Sequence, residues 1–321
     1  MSNADHALKV LVTIGLCVKN SEGLIEQSIE SIINQDYPLN LIQLIVVDGS
    51  SKDKILSIIR RIISKTNLKL EIYYDEGKGL GTARQLVFNN AKGNYIIFVD
   101  ADMRLFRDFV RNHVKFMEEH PDLGAAFGRP MLQEGTLVAT VLDLAAYTVG
   151  GGVGAGSSIC RIEALRQVGG FDLKIRGAAE DRDLFARIRL HGWNVSINES
   201  AKYFHRHRES LGSFWVEQSW FGYGDHYFNH KHSSISDIGS KHATGGLGKS
   251  LTSELFLCSV GTVWHKLPVG EFVWGLKLAS KAYKLTSKHT SFLILPLLIL
   301  GNLGWWRGFA KAHRDGYGHK K

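Results

Sequence analysis

Cysteine is nearly absent from this 321-residue chain: Cys17, Cys160 and Cys258 are the only three, and no two form a CxxC pair. That excludes a disulfide scaffold and a thiolate metal cluster, and it leads one to expect reduced thiols facing a cytoplasm. Proline is scarce, at 5 residues, and the 34 glycines follow no period. Collagen-like and proline-rich disordered chains are therefore excluded. No apolar run reaches the roughly 20 residues that a bilayer-spanning helix requires. The N-terminus lacks a charged stretch followed by an apolar core, so no secretory signal is expected. What remains, with 44% hydrophobic and 22% charged residues, is the composition of a folded protein, long enough for two domains or for one large α/β domain with an appendage.

The net charge of +8 suggests nucleic acid until it is located along the chain. Residues 241–321 hold 12 of the 39 Lys and Arg but only 3 of the 31 acids, a net +9 that leaves −1 for residues 1–240. Basicity is thus a C-terminal property, and no nucleic-acid partner is expected. The same segment contains the most apolar run, Ser291 to Trp306 (SFLILPLLILGNLGWW), with basic residues on both sides and a Trp pair at its end. Apolar core, interfacial Trp and flanking Lys together predict a membrane-surface or re-entrant anchor. The competing reading is a buried helix interrupted at Pro296 and Gly301. Residues 231–250, rich in Gly, Ser and His, read as a linker ahead of a membrane-associating segment at 251–321.

Upstream, short β-branched runs alternate with helical periodicities, the pattern of βαβ units. Strands are expected at Val10–Val18, Leu41–Val47, Leu70–Tyr74 and Tyr95–Val99. Ser21 is placed to cap the first helix, which carries Ile25, Ile29 and Ile32 on one face. Polar residues follow the strand ends, where open α/β sheets bind ligands: Asp48-Gly49-Ser50-Ser51 after the second strand and Asp100-Ala101-Asp102 after the fourth. Two carboxylates one residue apart at a strand end suit Mg²⁺ or Mn²⁺, which take oxygen ligands and complete their shell with water and phosphate. Farther on, Glu180 to Leu190 reads as a helix with Leu184, Phe185 and Ile188 on its apolar side. Asp181 falls in its first turn, where the helix dipole favours a carboxylate.

The series Asn20, Asp48-Gly49-Ser50-Ser51-Lys52-Asp53, Gly79 with Arg84, and Val99-Asp100-Ala101-Asp102 resembles the signature motifs of family 2 glycosyltransferases of the GT-A fold. Gly169-Gly170-Phe171-Asp172, Glu180-Asp181-x-Asp183-Leu184 and Gly192-Trp193 resemble that family's acceptor-side motifs, and the resemblance covers about residues 9 to 225. It implies a Rossmann-like mixed α/β sheet flanked by helices. Residues 1–230 would form this domain, 9–102 as the nucleotide-sugar-binding half and 103–230 as the acceptor-side half, followed by the linker and the C-terminal membrane-associating helical segment.

The resemblance also implies roles. Asn20, Asp48, Arg84, Asp100 and Asp102 would bind the nucleotide-sugar donor, with Asp48 at the nucleobase and Arg84 at the nucleotide end. Asp102, with Asp100 and His205, would hold the divalent ion, Mn²⁺ or Mg²⁺. Asp181 would be the general base, with Glu180 and Asp183 as alternatives. His205 and His207 lie in Tyr203-Phe-His-Arg-His-Arg208, which reads as an edge strand with both rings on one face. The aromatic-rich stretch Ser210 to His230 suggests a lid or an acceptor- and membrane-facing surface. Where the family's processive synthases carry Gln-x-x-Arg-Trp, this chain has Gln218-Ser-Trp-Phe-Gly222. That departure implies transfer of a single sugar.

The expected activity is inverting, metal-dependent transfer from a nucleotide sugar to a lipid-linked or polysaccharide acceptor at the cytoplasmic face of the cell membrane. A non-catalytic nucleotide-sugar or polyanion-binding membrane protein on the same scaffold is the alternative, and the joint presence of Asp48, Asp102 and Asp181 weighs against it. A dinucleotide-dependent oxidoreductase is excluded, because neither glycine-rich stretch, 77–82 or 150–156, spells G-x-G-x-x-G or follows the first strand. Asn194-Val-Ser196 and Asn198-Glu-Ser200 match the glycosylation acceptor pattern by chance.

Overall fold

The computed structural model describes residues 10–150, 154–232 and 268–318. The described chain divides into two compact units. The first is drawn from residues up to Gln133, Gly150–Lys174 and Asp183–His207; the second from Glu134–Val149, Ile175–Arg182 and the residues from Arg208 onward.

In the first unit, strands and helices alternate as β1 (Val12–Val18), α1 (Glu22–Ile33), β2 (Ile42–Asp48), α2 (Ile55–Ile63), β3 (Lys69–Tyr74), α3 (Leu80–Asn90) and β4 (Tyr95–Asp100). There follow β5 (Met103–Leu105), α4 (Phe109–Glu119) and β6 (Leu123–Pro130). The chain then passes through α5 (Leu137–Val149), a helix of the second unit, before β7 (Ser158–Arg161), α6 (Ile162–Val168), α7 (Glu180–Leu190) and β8 (Asn194–His205). All eight strands form one sheet in the order β3-β2-β1-β4-β7-β6-β8-β5. β3, β2, β1 and β4 run parallel, while β7 is antiparallel to β4 and β6. This is the mixed, helix-flanked α/β sheet that the resemblance implied.

The parallel strands are buried on both faces, which is why they read as continuous apolar runs. Along β2, Leu44 and Val46 join the cluster made with Ile25, Ile29 and Ile59 of α1 and α2, while Ile45 and Val47 join Val87 of α3 with Leu184 and Phe185 of α7. The period-2 alternation of strand side chains makes that division. Gly15 lets α3 approach β1: a Cβ there would stand 2.4 Å from Val87 Cγ1.

Two local expectations fail. Ser21 does not cap α1; its hydroxyl donates to the Lys19 carbonyl, and the Glu22 N–H donates instead to Asp53 Oδ2, 2.9 Å away in the next loop. The histidine segment is not an edge strand. β8 lies inside the sheet between β6 and three-residue β5, and His207 lies beyond its end. The sheet edge is closed by β5, too short to read as a strand of its own.

The second unit is helical: α5, α8 (Leu211–Lys231), α9 (Pro268–Thr286) and α10 (Ile294–Arg314). Ser210 caps α8, its hydroxyl accepting the Ser213 N–H at 3.1 Å. α10 is not interrupted at Pro296 or Gly301. Pro296 sits in the first turn, where no N–H is needed, and Gly301 packs on the Phe214 ring of α8. The contact continues through Gly304 and Gly308, spaced three and four residues apart on one face. The aromatic stretch of α8 is accordingly part core: Phe214 is buried on α10, whereas Val216, Trp220 and Phe221 are exposed. Of the expected linker 231–250, only Lys231 and His232, at the end of α8, are described; 233–267 and 319–321 lie outside the described residues.

Candidate active site

The register of the parallel strands builds one edge of the first unit. Asp48, the last residue of β2, lies opposite Val18 of β1, and Asp100, the last residue of β4, lies opposite Cys17. The two carboxylates therefore flank the C-terminal end of β1. Asp48 is buried, and both its oxygens accept the Ser51 N–H, at 3.2 and 3.3 Å. Ser50 and Asn20 both adopt left-handed backbone, with φ of 63° and 48°. Asn20 ties the loops after β1 and β2 together: its N–H donates to Ser51 Oγ at 3.0 Å and its Oδ1 accepts the Lys52 N–H at 2.8 Å.

A third strand-end carboxylate, Asp75, was not among the expected site residues. It follows β3 as the Gly49 turn follows Asp48, and it is buried, accepting the N–H groups of Gly77 (2.7 Å) and Gly79 (3.2 Å). It thus shapes the turn that starts α3, in which Glu76, Gly77 and Gly79 have φ of 55°, 73° and 105°. The repetition of an Asp at the ends of β2, β3 and β4 was the available signal. One turn into α3, buried Arg84 reaches Asp100, with Nη2 to Oδ1 at 3.0 Å. On the other side, a Cβ at Gly156 would stand 2.0 Å from Asp100 Oδ2. The backbone at Gly156 comes this close because that position has no side chain.

Asp102 and His205 are brought together by β-pairing between distant segments. Met103 of β5 lies opposite His205 of β8, and the Arg206 N–H donates to the Asp102 carbonyl at 2.9 Å. His205 Nε2 is 3.3 Å from Asp102 Oδ1, both side chains being partly exposed. The rings of His205 and His207 meet edge to face, 4.5 Å between centroids. The expected set of three metal ligands divides: Asp102 joins His205, whereas Asp100 joins Arg84. No group of three His, Cys, Asp or Glu side chains able to hold a metal occurs among the described residues. A carboxylate with an imidazole still fits Mn²⁺ or Mg²⁺ in a site whose other ligands are diphosphate and water.

The acidic side chains at the start of α7 differ in accessibility. Asp183 is fully buried and held by Arg187, Nε and Nη2 lying 2.8 and 2.7 Å from its Oδ2. Glu180 is buried, and Asp181 is half-exposed, its Oδ1 accepting the Arg182 N–H at 2.7 Å. Ala179, just before the helix, has φ of 80°, a strained value for a residue with a side chain. Of the acids left open by the sequence, Asp181 is the one that is not buried.

Residues 13–147 match the model of the family described as glycosyl transferase family 2. That stretch belongs to glycosyltransferase family 2. The chain is 31% identical over 101 residues to the poly(ribitol-phosphate) beta-N-acetylglucosaminyltransferase TarS of Staphylococcus aureus, a stretch covering 32% of this chain and 18% of that protein. It is 30% identical over 114 residues to a dolichyl N-acetyl-alpha-D-glucosaminyl phosphate 3-beta-D-2,3-diacetamido-2,3-dideoxy-beta-D-glucuronosyltransferase of Methanococcus voltae, covering 34% and 36%. The chain thus spans under half the length of these curated relatives. Among solved structures, the mannosyltransferase PcManGT of Pyrobaculum calidifontis, in complex with GDP-Man and Mn²⁺, superposes with a TM-score of 0.62 at 17% identity over 94% of this chain and 92% of that one. TarS 1–349 with UDP-GlcNAc gives 0.52 at 18% identity over 97% and 93%. The chain therefore has the GT-A fold, with its strand-end carboxylates on the edge where open α/β sheets bind ligands.

Proposed function

We propose that the chain is an inverting, divalent-metal-dependent glycosyltransferase that moves a single sugar from a nucleotide sugar to a lipid-linked or polysaccharide acceptor at the cytoplasmic face of the membrane. The observation that carries this reading is the strand-end edge itself, where Asp48 and Asp100 flank β1 and Asp102 meets His205 two residues farther on. In this reading the Asn20–Asp48 loops receive the nucleobase, and Arg84, paired with Asp100, aims it at the ribose. Asp102 and His205 hold the metal, whose charge would neutralise the departing diphosphate.

Asp181 takes the proton of the acceptor hydroxyl as its oxygen bonds to the anomeric carbon. The bond from that carbon to the diphosphate breaks on the opposite face, which inverts the configuration. Glu180 and Asp183, both buried, support the turn that presents Asp181. The names of the relatives supply one polymer acceptor and one dolichyl-linked acceptor, the two classes proposed here.

Incubating the protein with nucleotide sugars, UDP-GlcNAc and GDP-mannose first, with Mn²⁺, and measuring nucleoside diphosphate release tests the assignment. Asp102→Ala is expected to lose at least about 100-fold in kcat, the scale of deleting one transition-state charge stabiliser, with an unchanged melting temperature. Full activity of that variant in the presence of chelator overturns the metal role, and a retained anomeric configuration overturns inversion.

A further inference from the structure

The segment that carries Asp181 is gripped by the C-terminal helices of its own unit. Arg182, the residue after Asp181, pairs through Nη1 with Oδ1 of Asp225 on α8. The other oxygen of Asp225 accepts the indole N–H of Trp305 on α10, at 2.7 Å. Asp225 and Trp305 are both buried, and the Arg182 guanidinium also lies over the Phe228 ring, 4.6 Å from its centroid. Two backbone contacts close the grip. The Arg176 N–H donates to the Tyr317 hydroxyl, just beyond the end of α10. Gly224 is bare because a Cβ there would stand 1.9 Å from the Ala178 carbonyl oxygen.

A buried aspartate is costly unless its charge is met, and well-packed apolar side chains would hold two helices together as well. What the polar arrangement adds is direction. Asp225 has two oxygens and two donors, one from α10 and one from the residue beside Asp181, so it ties that residue to both C-terminal helices. We infer that Asp225 and Trp305 are positioning residues that fix the 175–182 segment, and with it Asp181, on α8 and α10. The inference rests on Asp181 being the general base. It makes the C-terminal helices part of the transfer machinery as well as a membrane-facing surface.

Hydrogen–deuterium exchange on the full chain tests the positioning without any substrate. Asp225→Asn keeps the shape and removes the charge; Trp305→Phe keeps the ring and removes the N–H. Each is expected to speed amide exchange across residues 176–182 at least tenfold while leaving β1 and β2 unchanged. Nucleoside diphosphate release from UDP-GlcNAc or GDP-mannose should show kcat down at least tenfold, with the donor KM within twofold. Arg182→Lys should recover part of what Arg182→Ala loses.

Unchanged exchange in both variants overturns the inference. So does an equal acceleration in β1 and β2, which marks general destabilisation. If Asp181→Asn is inactive while Asp225→Asn turns over like wild type, the positioning role alone falls. If Asp181→Asn is itself fully active, the general-base reading falls.

Discussion

His113 of α4 is fully buried, edge-on to Phe109 at 4.5 Å between ring centroids, and burial pushes its pKa down to about 3. The ring is therefore neutral in the folded protein, whereas in the unfolded chain it titrates near its ordinary 6.5. Below that pH the unfolded state binds a proton that the folded state refuses, so stability falls as the pH drops from about 6.5 towards 3. The slope from this one group approaches about 1.4 kcal/mol per pH unit. Above about 6.5 it contributes no pH dependence. Urea unfolding at pH 7, 5 and 4 should accordingly show a shallower acid loss for His113→Leu than for wild type; parallel curves would show that the proton is taken up elsewhere. The same scale explains which site residues were legible. Asp48 and Asp100 stand out because each ends an apolar run, and a strand period aims them at the sheet edge. That His205 meets Asp102 is invisible locally, since it depends on an antiparallel pairing between segments about a hundred residues apart. Arg84 was expected to face the nucleotide, and its fixed partner Asp100 was hidden for the same reason.

At the scale of elements, hydrophobic period located the first four strands and the helices between them, because parallel strands and amphipathic helices bury residues in patterns that single segments display. What it did not locate were devices requiring a neighbour. Asp53, not Ser21, meets the start of α1, and three-residue β5 exists only through β8. Glycine in α10 read as a helix breaker, yet it is the packing surface. A Cβ on Gly308 would lie 1.8 Å from the Ser219 carbonyl oxygen of α8, and one on Gly222 would lie 1.9 Å from that of Trp305. Both obstacles are backbone, so the helices themselves would have to separate. Gly308→Ala is expected to destabilise the second unit by about 1–3 kcal/mol, the usual range for overpacking. Gly212→Ala, in the first turn of α8, meets only Ser210 Oγ at 4.0 Å and should be neutral or stabilising by up to about 1 kcal/mol. Thermal melting of the two variants separates these outcomes, and equal melting points would mean that α8 and α10 are not packed through their glycines.

At the scale of the whole molecule, the charge division along the chain acquires a surface. The stretch His289–Arg314 is long and apolar enough to cross a membrane, with a mean hydropathy of 1.4 and a third of its most apolar window buried. One face of α10 is occupied by α8, which brings Glu217 and Asp225 with it, so lipid cannot surround the helix without burying those acids. Its opposite face exposes Pro296, Ile299, Leu303 and Trp306, and α9 exposes Trp274 and Leu285 among Lys277, Lys281 and Lys284. An apolar stripe edged with lysine suits helices lying in the interface, and lysines facing a second copy of the chain would repel. We therefore expect in-plane binding to anionic bilayers. Flotation with phosphatidylglycerol-containing vesicles should exceed that with phosphatidylcholine alone and should weaken with salt. Replacing Lys277, Lys281 and Lys284 together by Ala should reduce the affinity by roughly 100-fold, at about 1 kcal/mol for each lysine. Leu303→Ser should weaken binding to both vesicle types alike, since it removes buried apolar area and no charge. Binding indifferent to lipid charge and to salt would instead indicate that α10 crosses the bilayer and that its packing on α8 gives way there.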